Sequence, residues 1–355
     1  MTVFLWQYWK KCGKMAKTDI KSMQLDRLKE YVVSLGAKPF AAKQIYGWLH
    51  EKNVNSFDEM TNISKDLREK LKENCNITKI SIRKKQVSKD GTIKYLYQLE
   101  DGNCIETVLM RYEHGNSICV SSQVGCRMGC TFCASTQHGK VRDLRTSEIL
   151  EQFYNTERDI GERISNIVMM GIGEPLDNFD NAIGFIRIIS SPEGKNISQR
   201  SISLSTCGLV PRIYDLAKLK LGITLSISLH ATTTEKRKVT MPVTNAYSVE
   251  ELMQACRDYT RTTGRRISFE YSMIKGVNDT DEDARELADL LKGMISHVNL
   301  IPINPVDGSP YTQSDDRVIH SFQKKLQALH VNATIRRRLG QDISAACGQL
   351  RNENR

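Results

Sequence analysis

The densest chemistry in the chain lies in one short stretch, Cys126-Arg-Met-Gly-Cys130-Thr-Phe-Cys133. Its cysteines follow the pattern CxxxCxxC. Three thiolates this close on one loop can hold three irons of a four-iron, four-sulfur cluster. The fourth iron then lacks a protein ligand. It can take a small chelate, such as the amino and carboxylate groups of a methionine derivative. Two blander readings fit the same spacing. The thiols could serve a zinc ion, with Cys119, His114 or His138 nearby as a fourth ligand. They could also be ordinary buried thiols.

A loop of this kind needs a scaffold, and the periodicity supplies one. From Ser117 onward apolar strand patterns alternate with amphipathic helical ones. Strands are expected at 118–121, 164–170, 201–204, 223–228, 267–273 and 297–302. Helices are expected at 148–154, 182–189, 210–219, 249–259, 283–291 and 318–329, and Ser248-Val-Glu-Glu251 reads as a capping box. Alternation of this kind predicts a parallel sheet. Ligands of such sheets sit at the carboxyl ends of the strands. Polar motifs fall at those ends: the cysteine loop, Gly171-Ile-Gly173-Glu174-Pro175, Ser205-Thr206, Ser228-Leu229-His230 and Asn304-Pro305. The two glycines allow a ligand close to the backbone, and Glu174 can accept from an ammonium group. Ser205, Ser228, His230 and Asn304 can bond a carboxylate, ribose hydroxyls or a base. Each of them, taken alone, also suits a structural polar residue satisfied by backbone. Periodicity by itself leaves a partial barrel and an open doubly wound sheet as alternatives.

Ahead of this region the pattern is helical from Ser22 to Asn74, with helices near 25–35, 41–51 and 64–74. From Ile77 to Met110 the period becomes two, with hairpin turns at Asp90-Gly91 and Asp101-Gly102. Glu106 sits in the last of these strands, where a lone Glu is usually a solvated residue. Residues 1–16 read as an extension, expected to be disordered.

Composition bounds the partners. The 355-residue chain carries 51 Lys+Arg against 41 Asp+Glu, a net charge of +10, which suits a polyanion such as RNA. The basic groups are dispersed, and Arg336-Arg337-Arg338 are the best candidates for phosphate. Ten cysteines with no secretory signal point to a reducing compartment. The apolar run Val3–Trp9 is too short to cross a bilayer. A cytoplasmic protein with no membrane association is expected.

The string Cys119-Val-Ser-Ser-Gln-Val-Gly-Cys126, continuing through Cys133-Ala-Ser-Thr136, resembles the RNA adenosine methyltransferases of the RlmN/Cfr family, within the radical-SAM superfamily. Asp342-Ile-Ser-Ala-Ala-Cys347-Gly-Gln-Leu350 resembles the same family's C-terminal hallmark. Gly173-Glu174-Pro175-Leu176 and Cys133-Ala-Ser-Thr136 look like its RlmN branch. The resemblance implies an α/β fold, a partial (β/α)6 radical-SAM barrel over 117–340, with a helical accessory domain at 17–76, a β-rich connector at 77–116 and a C-terminal segment at 341–355. It implies one 4Fe-4S cluster on Cys126, Cys130 and Cys133. It implies S-adenosylmethionine (SAM) bound by Gly173, Glu174, Ser205, Ser228, Leu229, His230 and Asn304. Cys347 is implied to accept a methyl group from one SAM, while a second SAM is cleaved to a 5′-deoxyadenosyl radical. Cys119 is implied to resolve the enzyme–RNA adduct through a transient disulfide with Cys347, and Glu106 to act as proton acceptor. Cys12, Cys75, Cys104, Cys207 and Cys256 are expected to be structural. The implied products are C2-methylated adenosine at position 2503 of 23S rRNA and position 37 of tRNAs. C8 methylation of the same rRNA base, and a non-catalytic metal-containing RNA-binding protein, are the alternatives. A flavodoxin or ferredoxin donor and a monomeric state are also implied.

Overall fold

A computed structural model describes residues 17–304, 306 and 308–350. The expected extension at 1–16, with Cys12, and Pro305 of the Asn304-Pro305 motif lie outside these. The chain divides after Thr78.

In the first unit, β1 (Thr18–Asp19) is followed by α1 (Leu25–Ser34), α2 (Phe40–His50), α3 (Lys65–Asn74) and β2 (Cys75–Asn76). β1 and β2 pair in parallel and tie the two ends together. The apolar faces meet through Leu28, Val32, Ile45, Leu49 and Leu71, all fully buried. Ser64 caps α3, its hydroxyl accepting from the Leu67 N–H at 3.4 Å.

The second unit is built on one ten-stranded sheet. Its first strands are β3 (Ser81–Val87), β4 (Ile93–Gln98), β5 (Cys104–Tyr112) and β6 (Gly115–Cys119), each antiparallel to the next. A small separate hairpin, β7 (Gln123–Gly125) and β8 (Lys140–Asp143), carries the cysteine loop. The α/β part then runs α4 (Thr146–Ile160), β9 (Ile164–Met169), α5 (Phe179–Ile189), β10 (Ile202–Thr206), α6 (Val210–Lys218), β11 (Thr224–Ser228), α7 (Thr234–Thr240), α8 (Val249–Thr263), β12 (Ile267–Met273), α9 (Asp281–Leu291), β13 (Ser296–Pro302), α10 (Asp316–Ala328) and β14 (Ala333–Ile335). Sheet order is β14-β13-β12-β11-β10-β9-β6-β5-β4-β3, and every neighbour from β6 to β14 is parallel. The edges β14 and β3 do not pair with each other, so the sheet is open. Helices pack in pairs, α4 with α5, α6 with α8 and α9 with α10. Strand residues such as Ile167, Leu204, Leu225, Phe269 and Leu300 are sealed between helices and sheet.

Three features differ from expectation. The strands of 81–112 do not stand apart as a connector; they extend the main sheet on its β6 side. A seventh parallel strand, β14, follows the expected six. The segment after β14 also turns back across the sheet. The Gly340 N–H donates to Asp90 Oδ2 (2.8 Å), Ser88 Oγ donates to Asp342 Oδ1 (2.5 Å), and Lys94 Nζ donates to the Ser344 carbonyl (3.3 Å). The tip of the β3–β4 hairpin therefore holds the C-terminal segment.

Candidate active site

The parallel strands deliver their carboxyl ends to one cleft, where ligands of such sheets bind. Cys126, Cys130 and Cys133 face it, together with Gly173, Glu174, Ser205, Ser228, His230, Asn304 and Cys347. Leu229 does not line it. Its side chain is fully buried, and its carbonyl accepts from Arg237 Nε at 3.0 Å.

The cysteine loop is fixed by backbone bonds at its start and within it. The Cys126 N–H donates to the Gly139 carbonyl (3.0 Å) and the Thr131 N–H to the Thr240 carbonyl (3.0 Å). Burial pushes the Cys126 thiol up to about 12 and raises those of Cys130 and Cys133. Among the described residues, no three His, Cys, Asp or Glu side chains are grouped to hold a single ion. An all-sulfur set on one loop fits a multi-iron cluster, in which each thiolate takes its own iron. Phe132 reaches into the cleft and meets His230 edge-on, ring centres 5.0 Å apart.

The Gly171–Glu174 turn is pressed against the start of the loop. Gly173 has φ +105°, and a Cβ there would stand 2.8 Å from the Gln123 nitrogen, so only glycine fits without strain. Gln123 Oε1 accepts from the Glu174 N–H (2.9 Å), and its Nε2 donates to Asp143 and Asp177. The Glu174 carboxylate accepts from the Leu176 N–H (3.0 Å) and the Cys207 N–H (2.7 Å). Burial raises its pKa, against those two donors. On the opposite wall His230 Nδ1 accepts from the Ser272 N–H at 2.9 Å. Burial, aided by the Arg237 charge, pulls His230 down to about 3. The ring is therefore neutral, with its proton on Nε2.

Cys347 enters from the C-terminal segment. Asn304 Nδ2 donates to its carbonyl (3.2 Å), the Ala134 N–H donates to the Gly348 carbonyl (2.8 Å), and Ser135 Oγ donates to the Leu350 carbonyl (2.8 Å). The segment is thus pinned to the residues just after Cys133. Cys347 also lines an adjoining cavity with Cys119, Met170 and Arg336. Both cysteines are free thiols, and no disulfide joins them. Burial, reinforced by the neighbouring Cys347, pushes Cys119 up to about 12.

Glu106 lines neither cavity. It is not a solvated strand residue but buried, ion-paired with the equally buried Lys94 (Nζ–Oε1 2.9 Å). Lys94 in turn holds Ser344, so Glu106 is tied to the segment that carries Cys347. Sequence reasoning missed several groups. Arg336, read as a phosphate contact, instead turns into the cleft, with Nη1 3.8 Å from Cys347 Sγ and 3.6 Å from Met170 Sδ. Arg338 pairs with Asp316 at 2.5 Å. Glu270 lines the cleft from within β12 and accepts from Asn299 Nδ2 (2.7 Å). Cys207, read as purely structural, also faces the cleft. A charged residue inside a buried strand, as Glu270 is, was the available signal.

Three thiols on a loop after the first parallel strand, facing a cleft at the strands' carboxyl ends, define a radical-SAM enzyme. Residues 120–291 match the model of the radical SAM superfamily, and residues 18–77 match the N-terminal domain of the ribosomal RNA large subunit methyltransferase. A radical SAM methyltransferase from Sphaerobacter thermophilus superposes with a TM-score of 0.89 at 40% identity, covering 95% of this chain and 100% of that one. The probable dual-specificity RNA methyltransferase RlmN of Lachnospira eligens is 56% identical over 95% of this chain and 96% of its own. That of Alkaliphilus oremlandii is 54% identical over 96% and 99%. The chain belongs to the RlmN family of radical-SAM RNA methyltransferases. Among the described residues no helix is long and apolar enough to cross a membrane.

Proposed function

We propose that this enzyme methylates C2 of adenosine at position 2503 of 23S rRNA and position 37 of tRNAs, through a methyl group carried on Cys347. The observation that carries the reading is the meeting of Cys347 with the three loop cysteines in one cleft, though it comes from the far end of the chain. Cys126, Cys130 and Cys133 would hold the 4Fe-4S cluster. When bound, that cluster supplies the electron that opens SAM at its sulfonium.

The chain's own residues do the rest. Glu174 accepts from the ammonium of SAM, and the backbone at Gly173 lets it approach. Ser205, Ser228, neutral His230 and Asn304 orient its ribose, carboxylate and adenine. Cys347, as its thiolate, attacks the methyl carbon of one SAM, forming an S–CH3 bond as the sulfonium S–CH3 bond breaks and S-adenosylhomocysteine leaves. The methyl must travel on the protein because C2 of adenine is too weak a nucleophile to attack a sulfonium directly. Glu106 is the proton acceptor. Cys119, which shares the adjoining cavity with Cys347, would release product by forming a transient disulfide with it. Two SAM molecules serve each turnover. The surplus of basic groups suits RNA, and the first unit would help hold it. A flavodoxin or ferredoxin would supply the electron.

Peptide mass spectrometry of protein isolated from cells tests the assignment. A methyl increment on the Cys347 peptide is expected, and it should vanish in Cys347→Ala. A methyl found on another cysteine would overturn it.

A further inference from the structure

Arg237 is a full positive charge sealed inside the fold, with no exposed surface. It stands on α7. Its Nε donates to the Leu229 carbonyl (3.0 Å) and Nη1 to Thr244 Oγ1 (3.0 Å). Nη2 donates to the Cys207 (2.6 Å) and Ser228 (2.8 Å) carbonyls. Each of these acceptors is neutral. Among the described residues, no carboxylate lies within ion-pair distance of it. An ion buried this way costs several kcal/mol, even after relaxation. Oriented carbonyl dipoles offset only part of that cost.

Two contacts show where the charge is directed. Cys207 and Ser228, whose carbonyls clamp the guanidinium, both line the cysteine cleft. Thr240, on the same helix as Arg237, holds the Thr131 N–H in the middle of the cysteine loop. The cation and the loop are thus fixed to one another through α7.

We propose that Arg237 is the built-in counter-charge of the iron–sulfur cluster on Cys126, Cys130 and Cys133, and that it sets how readily the cluster is reduced. This rests on the cluster assignment above. A four-iron core of charge 2+ with three thiolates carries a net −1. One electron from a low-potential donor takes it to −2, with no proton moved and no bond broken. A fixed cation in a dry, low-dielectric wall favours the doubly negative state over the singly negative one. Local charge is among the recognised levers on the potential of such clusters. Arg237 acts through the cluster without touching substrate, so it is a positioning residue.

The test is a redox titration followed by electron paramagnetic resonance, with dithionite and mediators. It compares reconstituted wild type with Arg237→Gln, Arg237→Lys and Thr244→Asp. The last variant sets a carboxylate against Nη1, cancelling the charge in place while keeping a partner for it. At fixed potential, Arg237→Gln and Thr244→Asp should each show a roughly tenfold lower ratio of reduced to oxidised cluster, equivalent to about 59 mV for one electron. Arg237→Lys should stay near wild type. If Arg237→Gln does not fold, Thr244→Asp decides alone. A wild-type potential in the neutralised variants would overturn the proposal and leave the cluster assignment standing. Wild-type protein that binds no reducible 4Fe-4S cluster would overturn both.

Discussion

At the scale of single residues, chemistry depends on two partnerships. Cys347 and Cys119 flank one cavity, so their substitutions should separate two steps. Cys347→Ala is expected to abolish RNA methylation. Cys119→Ala is expected to accumulate a covalent protein–RNA species, visible as a slow band on a denaturing gel that ribonuclease collapses. Turnover by Cys119→Ala with no such band would remove Cys119 from the account. The Lys94–Glu106 pair predicts a stability effect. Lys94→Met removes the buried cation that pairs with Glu106, so a loss of about 3 kcal/mol or more is expected in chemical denaturation. A loss under about 1 kcal/mol would show that other contacts of Glu106 carry its charge. The grouping of the three loop cysteines was legible from their spacing, whereas the roles proposed for Cys347 and Cys119 come from the family resemblance alone. The burial of Glu106 was not. Its partner Lys94 lies across a strand pair, and no local pattern announces a long-range ion pair.

At the scale of elements, the strands place the site and two turns lock it. Gly173→Ala puts a Cβ into Gln123 at positive φ. It should lose about 1–3 kcal/mol of stability, together with SAM affinity, as read by calorimetry. Asp90 locks the C-terminal segment. Burial alone would raise its carboxyl, but the N–H groups of Gly340 and Thr92 outweigh it and bring the pKa from 3.8 down to about 2. A depressed carboxyl contributes stability that is fully present above the unfolded value and lost as pH falls through the folded one. Hydrogen exchange of residues 340–350 should therefore accelerate between about pH 4 and 2, and at neutral pH in Asp90→Ala. Unchanged protection in that variant would mean that Ser88 and Lys94 suffice. The six parallel strands and their helices were legible because period 3.6 and apolar runs are local. β14 escaped notice because a three-residue edge strand carries too little pattern to read. The continuity of β3–β5 with the main sheet escaped for another reason, since pairing partners are not written in a single strand.

At the scale of the molecule, the chain separates into a small helical unit and a catalytic sheet that carries every residue of the cleft. A protein beginning at Lys79 should fold and cleave SAM when reconstituted, yet lose most of its RNA affinity in a binding titration. Undiminished RNA binding would assign recognition to the basic surface of the second unit instead. The most direct test of the central claim is nucleoside mass spectrometry. A 23S rRNA fragment is reacted anaerobically with reconstituted protein, SAM and a reductant, and its digest compared with authentic methyladenosines. The account predicts 2-methyladenosine. Either 8-methyladenosine, or no methylated adenosine from protein shown to cleave SAM, would contradict it.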